Sequence, residues 1–192
     1  MKFLRIAGFC GITGSVLSLT MVVAATFLSS WFRWNVNALS DLGVGEESVL
    51  FNSAMLLGGG LNFLFDIGLY SYFKEKQART GVASLMLSSV FLALSGVFTV
   101  DSLFMHVFVA LGYFILAPAG FIIIGYRTKD GVNKKLSIAF GVAALATILM
   151  LPAIFYVAPF NVGFAVPELI EALIILVWTV FISTELLRLK IK

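Results

Sequence analysis

His106 is the only histidine in a chain of 192 residues that carries ten acidic side chains. Asp41, Asp101, Glu168 and Glu171, together with Ser40 and Asn52, are of the right type to share a site with it. An imidazole beside carboxylates can move a proton or join them as a ligand. Carboxylates with one His suit a hard divalent cation such as calcium, magnesium or manganese, and the ligands would be Asp41, His106 and Glu168. A zinc site built mainly from His and Cys is excluded, because Cys10 is the lone cysteine and lies in an apolar run. Ser102 stands four residues before His106, so a Ser–His–acid set with Asp101 or Asp41 is formally available, but no nucleophile-elbow motif accompanies it. A separate candidate is Asp66, with Asn62 one helical turn before it. A carboxyl of that kind inside a membrane is a proton or cation site, or is hydrogen-bonded to neighbours such as Asn62 or a facing Ser.

These residues need elements to hold them, and the composition says which kind. Sixty per cent of the chain is apolar and 12% is charged. A soluble globule lacks a surface at that ratio, which excludes a soluble enzyme, a nucleic-acid-binding domain and a disordered chain. About 20 mostly apolar residues cross the hydrocarbon layer as a helix. Six stretches qualify, at 6–28, 49–73, 81–100, 104–126, 136–158 and 167–187, and the strand alternation of a barrel is missing. The expectation is an all-α polytopic protein, one domain over 1–192, a bundle of six transmembrane helices.

Charge orients that bundle. Lys2 and Arg5, then Lys74, Lys76 and Arg79, then Arg127, Lys129, Lys134 and Lys135, and finally Arg188, Lys190 and Lys192 fall on one side of alternating spans. Only Arg33 of the 13 bases falls on the other. The positive-inside rule places both termini in the cytoplasm and the protein in the plasma membrane as a multi-pass chain. The first apolar run is longer than the 7–15 residues of a signal core, so it reads as a span. Trp31, Phe32, Trp34 and Tyr156 then lie at the outer interface, and Tyr70, Tyr72 and Tyr126 at the inner one. Asp41, Glu46, Glu47, Asp101, Glu168 and Glu171 gather on the outer side with His106. Glu46 and Glu47 at the start of span 2, and Glu168 after Pro167, also suit helix N-termini.

The spans have faces. Gly8, Gly11, Ser15 and Ser18 share one in span 1, and Ser84, Ser88, Ser95 and Thr99 one in span 3. Small residues at this spacing let helices approach closely in lipid. Gly58, Gly59 and Gly60 offer a contact, a kink or open space. Pro118 and Pro152 should bend spans 4 and 5. Asn52, Met55, Gly59, Asn62 and Asp66 form a polar stripe on span 2. Glu168, Glu171, Trp178 and Glu185 do so on span 6. Such stripes belong in the bundle interior. No internal repeat of the kind found in many transporters is present.

The run Ala38-Leu39-Ser40-Asp41-Leu42-Gly43, followed by Phe51-Asn52 and a glycine-containing span, resembles a prokaryotic family of membrane proteins, domain of unknown function 998. His106 early in span 4 and Pro167-Glu168 opening span 6 are further marks of it. The resemblance covers nearly the whole chain and implies six spans but no assigned activity. The Ser-Asp-x-Gly loop followed by an acid and a Phe is also similar to the eukaryotic Frag/DRAM/Sfk superfamily, which implies a lipid-related role. Gly45 departs from the Pro often found there. The residues so marked are Ser40, Asp41, Gly43, Phe51, Asn52, His106 and Glu168.

Three functional readings follow. The first is an extracytoplasmic polar pocket that binds or modifies a lipid headgroup, cationic or zwitterionic, or a small polar ligand. In it Asp41 and Glu168 supply carboxylates, His106 an acid/base or ligand, Asn52 a positioning amide, and Ser40, Asp101 and Glu171 further contacts. The second is a small transporter or channel using Asp66 and Asn62. The third is a structural or assembly protein. Membrane lipid is the expected partner and nucleic acid is not.

Overall fold

A computed structural model describes residues 2–128, 131–157 and 163–189, without the side chains of 131–133 and 151–157. Lys129, Lys190 and Lys192 lie outside the described residues, as do the side chains of Pro152 and Tyr156. The α-helices are α1 (Lys2–Leu28), α2 (Ser48–Tyr72), α3 (Lys76–Ser95), α4 (Leu103–Arg127), α5 (Gly131–Val157) and α6 (Ala165–Arg188), with short 3-10 turns at Leu39–Gly43 and Val100–Ser102. No strand occurs among the described residues. Five of the helices, α1 to α4 and α6, are long and apolar enough to cross a membrane. Their outward faces carry large bare apolar side chains: Phe27 is 85% exposed and Phe104 80%. Only lipid makes such a surface favourable.

Each helix packs on its neighbours in sequence, and α6 returns to α1, closing a ring. Contacts between helices show that neighbours run antiparallel. Ala7 meets Gly68 while Ser18 meets Gly58. Phe91 meets Gly112 while Ile124 meets Gly81. One end of the bundle therefore holds the start of α1, the α2–α3 and α4–α5 connections and the end of α6. It is called the basic end below, after its Lys and Arg residues. The opposite end holds both 3-10 turns and is called the acidic end.

Small residues do bring the helices together. A side chain at Gly11 would strike Ser183 and Phe65, and one at Gly59 would come within 2.5 Å of the Ala93 backbone nitrogen. The three successive glycines of α2 divide their tasks. Gly58 faces Ser18 of α1, Gly59 faces α3, and Gly60 has nothing within 4 Å. Serine hydroxyls add cross-helix hydrogen bonds: Ser84 donates to the Leu116 carbonyl at 2.7 Å and Ser88 to the Tyr113 carbonyl at 3.1 Å.

Helix ends have local causes. Arg79 donates through Nε to the carbonyls of Tyr70 and Phe73, and its guanidinium lies 5.0 Å from the Tyr70 ring centre. It thus caps α2 from the first turn of α3. That is why α3 begins at Lys76, five residues before the span expected at 81. Its end is corrected too. The helix ends at Ser95 with Gly96 as its cap, where only a glycine fits beside the Asn52 carbonyl oxygen, and Val97 to Thr99 lead into the next turn. Hydropathy counted those residues into the span because it reads apolarity and not close approach. Thr99 therefore leaves the Ser84–Ser88–Ser95 face. α4 continues unbroken through Pro118, which packs against Gly141 of α5. Glu185 also leaves the buried α6 stripe: it pairs with Arg188 at 3.0 Å on the surface.

Candidate functional site

The acidic end is built around the α1–α2 connection, which folds inward over the bundle. Asp41 organises it. Its Oδ2 accepts from the Asn37 amide at 3.1 Å and the Ala38 backbone N–H at 3.0 Å. The Asn37 Oδ1 in turn accepts from the Arg33 N–H at 2.9 Å. Asn52 reaches from α2 and donates to the Gly43 carbonyl at 3.0 Å, fastening the far side of the turn. Glu168 fastens the near side. Its Oε2 accepts from the Leu39 N–H at 2.6 Å, a link spanning 129 residues of sequence. The Ala165 N–H donates to the Asn37 carbonyl at 3.0 Å beside it. Leu39 and Leu42 are buried beneath this turn with Phe51, Val22 and Ala165.

Below the turn lies a cavity of about 130 Å³. It is of the order of the apolar cavities that accept a benzene-sized guest. α1, α2, α3, α4 and α6 all contribute walls. Its acidic end carries Ser40, His106 and Glu168; its middle is mostly apolar, with Leu19, Met55, Leu92, Ala110 and Ala172 beside Ser18. Its far end turns polar again at Asn62, Tyr113 and Thr179. Phe51 to Asn62 on α2 and Glu168 to Thr179 on α6 each cover eleven steps, so the space runs about 16 Å along the helices at about 1.5 Å per residue.

His106 is 8% exposed. Its Nδ1 lies 2.8 Å from the Phe98 carbonyl. A carbonyl only accepts, so Nδ1 carries a hydrogen and donates it to Phe98. A Ser–His–acid set needs a carboxylate at Nδ1. Here that position belongs to a backbone carbonyl, and Asp101 and Ser102 are exposed on the Val100–Ser102 turn.

The structure thus brings Ser40, His106 and Glu168 to one cavity, with Asn62 at its far end, and places Asp41, Asn52, Asp101, Glu171 and Asp66 elsewhere. Asp41 and Asn52 shape the turn that roofs it. Asp101 faces out. Glu171 is buried toward α5 with Thr147 as a hydrogen-bond neighbour, and its Oε1 has no partner among the described residues. Asp66 accepts from the Ser89 hydroxyl at 2.6 Å and lines a smaller chamber nearer the basic end. Among the described residues no three His, Cys, Asp or Glu side chains could hold a metal ion together. The divalent site drawn from Asp41, His106 and Glu168 fails at Asp41, whose carboxylate is turned into its own loop.

Residues 12–185 match the family described as Protein of unknown function (DUF998). The chain belongs to that family. No curated protein and no solved structure matches it. As a member of DUF998 it carries no inherited activity, so its function must be argued from the cavity itself.

Sequence reasoning missed Tyr113 and Thr179; for Asp66 it expected a facing Ser without saying which, and the structure makes it Ser89. A signal existed for the first two. Tyr113 follows His106 by seven residues, two helical turns on one face, and Thr179 continues the series Glu168, Ala172, Ile175 at helical spacing. Ser89 had no such mark, because its partner sits on another helix.

Proposed function

We propose that this DUF998 protein is a six-span plasma-membrane protein that binds a membrane lipid through its acidic end, with the headgroup at Ser40, His106 and Glu168. Bases gathered at the other end support cytoplasmic termini, which would set the cavity on the extracytoplasmic side. α5 is the sixth span in this reading. The observation that carries it is one cavity with polar groups at its acidic end and a mostly apolar stretch beyond them, before Asn62, Tyr113 and Thr179 close its far end. That pattern matches an amphiphile entering with its chain first. The Glu168 carboxylate accepts hydrogen bonds and, with Nδ1 donating to Phe98, the His106 ring can accept at Nε2, so the headgroup they favour is a donor such as an amine or hydroxyl. Arg33, the only base at this end among the described residues, is exposed, and no Lys or Arg lines the cavity to clamp an anion.

Native mass spectrometry of the purified protein tests it. A lipid enriched for one headgroup should survive release from detergent and be lost in His106→Ala and Ser40→Val, with little change in thermal stability. Copurifying lipid that reflects only the bulk membrane, unaltered by either substitution, refutes the reading.

A further inference from the structure

Beyond the lipid cavity, a second chamber of about 20 Å³ lies deeper in the bundle, room for one water or one small ion. Asp66, Asn62, Ser88, Ser89, Tyr113 and Thr179 are among its polar lining. Asp66 is 3% exposed and Thr179 5%. No Lys, Arg or His lines it among the described residues, so nothing basic offsets the Asp66 carboxylate.

The polar wall presents acceptors. Ser89 has already given its hydrogen to Asp66, at 2.6 Å. Ser88 has given its own to the Tyr113 carbonyl, at 3.1 Å. What these hydroxyls turn to the chamber are lone pairs. The Asn62 Oδ1 is buried with no hydrogen-bond partner among the described residues. A buried acceptor left so calls for a donor or a cation. Oxygen ligands from a carboxylate, an amide and hydroxyls suit a hard cation, and one carboxylate balances one positive charge.

The chamber has an approach from one side. Asn62, Tyr113, Ile175 and Thr179 line both it and the larger cavity, so they form the partition between the two. Toward the basic end it is shut by Phe65 and by Phe121 stacked on Trp178 at 4.0 Å.

We infer that the Asp66 chamber binds a single desolvated monovalent cation of sodium size, admitted from the lipid cavity past Asn62 and Thr179. Thermal unfolding of the full chain in nanodiscs tests this, with sodium chloride titrated against choline chloride at constant pH and ionic strength. The melting temperature should rise with sodium and saturate, as for a ligand that binds only the folded state. Asp66→Asn should abolish the rise. Thr179→Val and Asn62→Leu should each shift the half-saturating sodium concentration upward by about tenfold, the loss of roughly one ligand oxygen. Should Asp66→Asn fail to fold, those two variants decide the matter. Equal melting in sodium and choline, as a chamber holding only water would give, overturns the inference. So does a sodium response unchanged in the variants. Lipid retention is a separate readout, so failure here is distinguishable from failure of the lipid reading.

Discussion

The two halves of the bundle are made from the same kinds of residue and are packed differently. Toward the basic end, Phe65, Phe121, Trp178 and Leu186 fill the centre, each 1% exposed, and the Trp178 indole donates to Ser137 at 2.9 Å. Toward the acidic end the facing positions are Ser18, Met55, Ala110 and Ala172, and the centre is hollow. Small residues serve opposite ends in the two places. Gly59 lets α2 close on the backbone of α3 and Gly11 leaves room for Ser183 and Phe65, whereas Ala110 and Ala172 line open space. A small side chain therefore means contact or cavity depending on what the next helix presents. One half is a plug and the other a receptacle, and the chamber at Asp66 lies where they meet.

The comparison can be broken most forcefully at the plug. Trp178→Ala removes the stacked indole and leaves a void, and should cost roughly 4 kcal/mol, read as a large drop in melting temperature. If stability barely changed, the basic half would not be the rigid partner described. Glu168→Ala comes next. It strips the acceptor that holds Leu39 to α6 and should cost about 2 kcal/mol, with faster protease cleavage within residues 29–47. Cleavage at the wild-type rate would mean that the roof is held by its apolar contacts alone.

The receptacle answers to a filling mutation. Ala172→Phe should change stability by no more than about 1 kcal/mol, since the space exists, yet expel bound lipid as measured by native mass spectrometry. A large destabilisation would show that the half is less hollow than the contacts indicate. The smallest effect belongs to Asp101→Asn. Its side chain is exposed, so stability should stay within about 0.5 kcal/mol and lipid retention should not move. Lipid loss there would place the site at the rim and not in the cavity.

Much of the architecture was legible because hydropathy and helix length are local properties. The helices fall close to the stretches of apolar sequence, and the error at α3 came from Arg79 and Gly96, whose effects depend on neighbouring helices. The site was legible less evenly. Ser40, His106 and Glu168 were named with Asp41, Asn52, Asp101 and Glu171, and nothing in residue type separates the first three from the rest. Asp41 and Glu168 are both carboxylates accepting backbone N–H groups. One closes its own loop and the other crosses to a distant element, and only the second also meets the cavity.

By itself, the sequence determined what the chain is made for: its apolar share demands lipid, and its helical stripes demand that polar groups turn inward. Those follow from the cost of exposing polar groups to hydrocarbon, which acts on every residue separately. Tertiary structure decided which inward groups meet one another. That Phe121 lands on Trp178, that Ser89 reaches Asp66, and that Ala110 and Ala172 face open space are consequences of register between antiparallel helices. Register is set by the summed packing of many contacts, and no single stretch of sequence contains it.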